Sequence, residues 1–138
     1  MKIFLVDDDA VFVKSLEIDF RKHADLDIES FATGELCLEK LSLNPDVIIL
    51  DYLLNGIDKN AMNGIEVLDK IKAINPDIPV VMLSQQDKIE VAINCMHNKA
   101  FDYVMKSETA FGRLQKIITA VYFNRKMQEE LNCQVELI

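Results

Sequence analysis

Five short apolar runs, separated by segments with helical periodicity, constrain the fold of this chain more than any other feature. Runs of this kind are typical of strands that are buried on both faces of a parallel sheet. The strands are predicted at about residues 3–6, 26–31, 47–50, 80–83 and 101–105. The alternation of strands and helices predicts an α/β fold, a doubly wound (βα)5 sandwich around a five-stranded parallel sheet.

The helical segments combine apolar residues at helical spacing with polar residues that can cap the first turn. The predicted capping residues are Asp9, Thr33 and Asp87, and two further helices are predicted to start at Gly64 and near Glu108. The expected core stripe of the first helix is Val11, Phe12, Leu16 and Phe20, and that of the fourth is Ile89, Ala92, Ile93 and Met96. Val91 and Cys95 fall off the fourth stripe, so either they leave apolar surface for a partner or the core stripe is wide.

Size and charge restrict the class of protein. The 138 residues fit one domain, and half of them are apolar, which is enough for a core. The formal net charge of -8 argues against direct binding to nucleic acid, which requires a basic face. The composition favours a partner protein or a small anion–metal complex.

The sequence also bears on location. No apolar run approaches the roughly 20 residues that a membrane span needs, so no membrane association is expected. The first predicted strand begins so early that no signal peptide is expected. Cys37, Cys95 and Cys133 are odd in number and lack metal-ligand spacing, which favours a reducing, cytoplasmic location.

Polar residues follow four of the predicted strands directly. Asp7 and Asp8 follow the first, Asp51 the third, Ser84 the fourth and Lys106 the fifth. Because the carboxyl ends of parallel strands open onto one crevice, these side chains are expected to share a pocket. Taken singly, the aspartates and the serine suit turns or helix caps, and the lysine suits a solvated surface. The joint pattern favours a functional site.

The chemistry of this set suits a divalent cation and a phosphoryl group. Mg²⁺ prefers oxygen ligands, and three crowded carboxylates would repel one another without a cation. A carboxylate can accept a phosphoryl group as an acyl phosphate. Phosphoryl transfer needs its oxygens positioned and neutralised, and the cation, Lys106 and the Ser84 hydroxyl can each take one oxygen.

These segments resemble the receiver domain of bacterial response regulators. The matching sequences are LVDDD at 5–9, PDVIILD at 45–51, PVVMLS at 79–84 and FDYVMK at 101–106, within a resemblance that spans about residues 2–125. The resemblance implies a flavodoxin-like three-layer sandwich with Asp51 as the phosphoacceptor. It implies that Asp7, Asp8, Asp51 and the Leu53 carbonyl bind Mg²⁺ or Mn²⁺, and that Ser84 and Lys106 bind the phosphoryl group. Tyr103 is implied as a switch aromatic that moves with Ser84, although ordinary core packing is the alternative.

The implied function is a phosphorylation-controlled switch in two-component signalling. The donor would be a histidine kinase or a histidine phosphotransfer protein, and phosphorylation would change a protein-interaction face. Beyond Mg²⁺-dependent self-phosphorylation and autodephosphorylation, no enzyme activity is expected. A haloacid-dehalogenase-like phosphatase is one alternative, but Leu53 stands where such enzymes carry a second acid. A degenerate receiver that only binds is another, and the intact acidic set and lysine argue against it.

The chain departs from the family pattern in three places around the site. The 51–64 loop is longer than usual and lacks a proline, and it is either a solvated bulge or a surface that reads a partner. Gln85 replaces a small residue beside the phosphoryl site. Ser107 replaces a proline, so the Lys106–Ser107 peptide is predicted to be trans. Leu53 and Gln86 flank the expected approach of water, and the apolar Leu53 predicts slow hydrolysis of the aspartyl phosphate.

The predicted division of the chain is a receiver domain over 1–125 and an extension of the last helix, or a linker tail, over 126–138. The tail either leads to an output domain or ends a stand-alone receiver. A homodimer is left open, and the cognate kinase and pathway cannot be read from the sequence.

Overall fold

The computed structural model describes residues 1–23, 25–85 and 88–136. Within them, five parallel strands form one sheet in the order β2-β1-β3-β4-β5. The strands are β1 (Lys2–Val6), β2 (Asp27–Phe31), β3 (Val47–Asp51), β4 (Val80–Ser84) and β5 (Asp102–Met105). The predicted fold class, a doubly wound (βα)5 sandwich, is confirmed, and each predicted strand lies within one residue of its observed bounds.

The strand register aligns the carboxyl ends of the central strands. Val6 pairs with Leu50, so Asp7 and Asp51 follow paired residues of β1 and β3. Asp51 itself pairs with Leu83, and Ser84 pairs with Met105. From β1 the chain adds β2 on one side of the sheet, and it then adds β3, β4 and β5 on the other side. This change of side between β1 and β3 leaves a crevice at the carboxyl edge. The register therefore brings the four strand ends together.

Side chains of each strand alternate between two cores, one on each face of the sheet. Phe4, Ile48 and Met82 face the helices α2 (Gly34–Glu39), α3 (Gly64–Ile74) and α4 (Ile89–His97), where Cys37, Leu68 and Cys95 are buried against them. Leu5, Ile49 and Leu83 face α1 (Ala10–Phe20) and α5 (Ala110–Glu136), where Leu16 and Leu114 are buried. Both faces of β3 and β4 are covered, which explains why their sequences are continuous apolar runs.

The helices are α1 (Ala10–Phe20), α2 (Gly34–Glu39), α3 (Gly64–Ile74), α4 (Ile89–His97) and α5 (Ala110–Glu136), and a short 3-10 helix spans Leu41–Leu43. The predicted caps Asp9 and Thr33 accept hydrogen bonds from the first turns of α1 and α2. The predicted start at Gly64 is confirmed, whereas α5 begins at Ala110 rather than Glu108. Asp87 lies outside the described residues.

The predicted core stripe of α4 is wrong. Ile89, Ile93 and Met96 are 72%, 60% and 49% exposed, whereas Cys95 is fully buried and Val91 packs against the core. Both faces of this short helix are apolar in sequence, and tertiary packing selects the one that carries Cys95. In α1, Leu16 and Phe20 are buried as predicted, but Val11 is 81% exposed.

Helix α5 is the longest element, with 27 residues, and extends about 40 Å at the rise of an α-helix. Its first half packs through Leu114, Ile118 and Val121. All side chains from 122 to 135 are exposed. Among the described residues, no helix is both long and apolar enough to cross a membrane.

Candidate functional site

The carboxyl ends of β1, β3, β4 and β5 meet in one cavity of about 400 Å³, lined in part by Asp8, Asp51, Ser84 and Lys106. Asp7, Asp51 and Ser84 are the buried polar or charged residues of the described chain. Burying such groups is costly unless they are paired, so their position at strand ends around one cavity indicates a functional site.

Lys106 lies between two of the aspartates. Its Nζ is 2.7 Å from Asp7 Oδ2 and 3.3 Å from Asp51 Oδ2, and its side chain is only 7% exposed. The ammonium also lies 4.8 Å from the ring centre of Phe12 in α1, a cation–π contact. The backbone N–H of Lys106 donates to Ser84 O at 2.7 Å, which fixes the lysine to the end of β4.

Burial and the neighbouring Asp7 raise the pKa of the Asp51 carboxyl from 3.8 to about 7, although the Lys106 ammonium lowers it. The backbone N–H of Leu53 donates to Asp51 Oδ1 at 3.4 Å and also lowers this pKa. Ionisation of Asp51 is therefore unfavourable in the folded chain, and a further positive charge beside the carboxylate would favour it.

Asp7, Asp8 and Asp51 each offer a carboxylate oxygen, and these atoms lie within 4.8 Å of one another. Asp7 Oδ1 accepts from the backbone N–H of Asp9. Asp8 Oδ2 is buried and accepts no hydrogen bond from any described residue. A buried carboxylate oxygen that accepts no hydrogen bond is left unsatisfied, and a bound cation would satisfy it. These residues therefore fit Mg²⁺ or Mn²⁺. The predicted ligand role of the Leu53 carbonyl stays a prediction.

The two predicted switch residues occupy neighbouring strands. Ser84 is buried at the end of β4 and lines the cavity. Tyr103 is half-buried on β5, paired with Met82, and packs against the core on the α4 side. Both positions suit a movement shared by β4, β5 and α4, and the switch role itself stays a prediction.

The long loop between β3 and α3 contributes to the site, which the sequence left open. Gly56 and Ile57 line the cavity, and a Cβ on Gly56 would lie 3.4 Å from Asp8 Oδ2. Ile57, Leu53 and Val11 are 78%, 53% and 81% exposed around the opening. The segment from Asp58 to Asn60 is solvated, so only the first part of the loop borders the site.

Gly64 was not recognised from sequence as a site residue. A Cβ at this position would lie 2.3 Å from Asp51 O and 2.7 Å from Tyr52 Cα, both backbone atoms. Helix α3 therefore approaches the chain at Asp51 so closely that a side chain would displace it. A glycine as the first residue of a helix is the signal that could have revealed this. The Lys106–Ser107 peptide is trans, as predicted.

The family model for the response regulator receiver domain matches residues 3–119 of this chain. The chain belongs to the receiver domain family. The receiver domain is 35% identical over 117 residues to a protein-glutamate methylesterase/protein-glutamine glutaminase of Clostridium acetobutylicum, a match that covers 80% of this chain and 32% of that protein. It is 28% identical over 134 residues to the DNA-binding transcriptional regulator NtrC of Escherichia coli, with 96% of this chain and 27% of that protein covered.

Solved structures give the same fold. The signal receiver domain of a putative Luxo repressor protein from Vibrio parahaemolyticus superposes with a TM-score of 0.80 at 21% identity, covering 94% of this chain and 95% of that one. The first three curated relatives are matched over only 32%, 27% and 21% of their own length. This receiver domain therefore corresponds to one part of those longer proteins.

Proposed function

We propose that this receiver domain accepts a phosphoryl group on Asp51 from a phosphohistidine of a histidine kinase or a histidine phosphotransfer protein. The observation that carries the proposal is the position of Lys106 Nζ, 2.7 Å from Asp7 and 3.3 Å from Asp51 at the floor of an open cavity. A buried carboxylate that is ion-paired yet accessible is suited to act as a nucleophile rather than as a structural group.

In the transfer, an Asp51 oxygen forms a bond to phosphorus while the bond from phosphorus to the donor's imidazole nitrogen breaks. The chain's part is to position and neutralise the phosphoryl oxygens. Lys106 can donate to one oxygen, because its ammonium already reaches Asp51, and the Ser84 hydroxyl can donate to another from the end of β4. The apolar rim of Val11, Leu53 and Ile57 can exclude water around the reacting atoms when a donor protein docks.

Asp7, Asp8 and Asp51 would hold the divalent cation, Mg²⁺ or Mn²⁺, with Leu53 contributing its carbonyl. When bound, the cation would neutralise negative charge on the carboxylates and the phosphoryl group. The buried Asp8 Oδ2, which lacks a hydrogen-bond donor, supports this ligand set.

The receiver acts as a switch, with no enzyme activity beyond its own phosphorylation and dephosphorylation. Its output passes to a downstream protein or an output domain through the face formed by α4, β5 and α5, and a cytoplasmic location suits a kinase partner of this type. The haloacid-dehalogenase-like reaction is not favoured, because the position two residues after Asp51 is Leu53 and supplies no general acid.

The proposal is tested by labelling the full chain with acetyl phosphate, with and without Mg²⁺. The wild type is expected to be labelled in the presence of Mg²⁺. No labelling is expected for the wild type in EDTA or for Asp51→Asn in either condition. Asp58→Asn, the same change on the exposed part of the loop, is the control and is expected to label normally. Labelling of Asp51→Asn at the wild-type rate would exclude Asp51 as the acceptor.

A further inference from the structure

A second cavity lies at the opposite edge of the sheet from Asp51. Its volume is about 600 Å³, which is within the range of small-molecule sites. It lies between the α3–β4 connection, the α4–β5 connection and the middle of α5, and no residue of the phosphoacceptor site contributes to it.

The cavity is positively charged although the molecule as a whole carries a net charge of -8. Lys72, Lys99 and Arg125 line it, with Asp77 as the acidic residue. Arg125 is ion-paired with Asp46. Among the described residues, no carboxylate lies within ion-pairing distance of Lys72 or Lys99.

The Lys72 ammonium is fixed by the backbone. Its Nζ donates to Ile78 O at 2.6 Å and to Pro76 O at 3.3 Å. Burial lowers its pKa, the nearby Asp77 carboxylate raises it, and the charge of Lys99 lowers it by less than Asp77 raises it. The two ammonium groups outnumber the Asp77 carboxylate in this concave surface, so an anion would be stabilised beside them.

The rest of the lining suits a planar ring. Phe101, which opens the approach to β5, is 41% exposed beside the prolines of the α3–β4 connection. Asn124 and Gln128 are four residues apart on α5, so their amides lie on one helix face and can both donate and accept. An aromatic ring with polar edges would find a stacking surface and hydrogen-bond partners here.

Lys99 holds its place in the cavity with a left-handed backbone. Its φ is 71°, at the end of α4, where its N–H donates to Met96 O at 3.1 Å. This conformation favours glycine and costs other residues about 1 kcal/mol. Lys99 therefore adopts an unfavourable backbone conformation at a position that lines the same cavity as Lys72.

We propose that this cavity binds a small ligand that combines a phosphate group with a planar heterocycle, of the nucleoside monophosphate class. The phosphate binds between Lys72 and Lys99, and the ring stacks on Phe101 and meets the amides of α5. The site is independent of phosphorylation at Asp51.

The test is calorimetric titration of the full chain with AMP and with GMP, in EDTA so that no divalent cation can hold phosphate at the aspartates. At least one nucleotide is expected to bind, and inorganic phosphate at least tenfold more weakly. Lys99→Gln is expected to weaken binding about tenfold, since it removes a charged hydrogen-bond donor. Phe101→Leu is expected to weaken it about fivefold through lost stacking.

Two further variants keep the test decisive. Lys116→Gln, on an exposed part of α5, makes the same charge change and is expected to bind within twofold of the wild type. Lys99→Gly relieves the left-handed backbone, so it is expected to unfold at the wild-type temperature or above while losing binding. The proposal is overturned if neither nucleotide binds, if inorganic phosphate binds equally well, or if the Lys99 variants bind like Lys116→Gln.

Discussion

Ionisation of the Asp51 carboxylate destabilises the folded state when no cation is bound. Burial and Asp7 raise its pKa from 3.8 to about 7 in the folded chain when no cation is bound. The folded state therefore binds more protons than the unfolded state between about pH 4 and pH 7, so the free energy of unfolding falls as pH rises through that window. Function at this residue requires a charge that the native structure disfavours.

Asp51→Asn is expected to remove this penalty. In EDTA at pH 8, the variant should exceed the wild type in free energy of unfolding by on the order of 2–4 kcal/mol, and the difference should shrink toward pH 4. Urea unfolding at several pH values measures it. Mg²⁺ is expected to stabilise the wild type and narrow the gap at pH 8.

Asp58→Asn, at an exposed position, serves as the control and should change the free energy of unfolding by less than about 0.5 kcal/mol at any pH. A gap between Asp51→Asn and the wild type that stays constant from pH 4 to pH 8 would contradict the raised pKa of Asp51.

Leu53 is predicted to control how water reaches an aspartyl phosphate on Asp51. Its side chain lines the cavity, is 53% exposed, and can neither orient nor hydrogen-bond a water in line with phosphorus. Leu53→Asn is expected to speed decay of the purified phosphoprotein several-fold, measured after the phosphodonor is removed. Gln86, the second predicted flanking residue, lies outside the described residues.

Leu43→Asn makes the same change at a leucine that is 44% exposed and does not line the cavity, so it tests whether position matters. Its decay rate is expected to match the wild type. An unchanged or slower decay in Leu53→Asn would show that Leu53 does not limit hydrolysis.

The polar residues of the site were predictable from sequence because the geometry of a parallel sheet leaves little choice. Asp7, Asp51 and Ser84 each follow or end a buried strand, and parallel strands in register must bring such residues to one edge. The Phe12 contact with Lys106 and the fit of Gly64 against Asp51 were not predictable. Both depend on how helices dock on the sheet, which periodicity alone does not determine.

Helix α4 presents an apolar stripe to solvent. Ile89, Ile93 and Met96 recur at spacings of four and three residues, so they lie on one exposed face, while Cys95 anchors the other face in the core. The sequence could not decide between the two faces, because six of the nine residues of this helix are apolar and they lie on both faces. The central strands β1, β3 and β4 avoided this ambiguity because both of their faces are buried.

Phosphorylation is expected to change the dynamics of this element. Ser84 ends β4 and Tyr103 packs on the α4 side of β5, so a movement at the phosphoryl site can shift α4 and β5 together. Amide exchange of peptides from 89 to 105 should differ between the free chain and the chain with Mg²⁺ and beryllofluoride, a phosphoryl mimic. Asp51→Asn should show no difference, and identical exchange in the wild type would contradict the switch.

Across the whole molecule, the two edges of the sheet have opposite character. The carboxyl edge carries the aspartates and Lys106, and the amino edge carries the basic cavity and the Arg125–Asp46 ion pair that ties α5 to the start of β3. The doubly wound parallel sheet could be predicted from the pattern of apolar runs, whereas the strand order and the core face of α4 were established only by the structure. The path of the 55–63 loop could not, because a segment without periodicity is positioned only by its contacts.

The exposed second half of α5 is also expected to be susceptible to proteolysis. Arg125 and Lys126 are the last basic residues of the chain, and they lie where α5 has left the core. A helix without tertiary packing frays readily, so brief trypsin treatment is expected to remove 127–138 before it cuts at Lys116, within the packed half. The trimmed product would match the predicted division near residue 125. Equal protection of Lys126 and Lys116 would instead mean that the segment is covered in solution, as it would be in a homodimer.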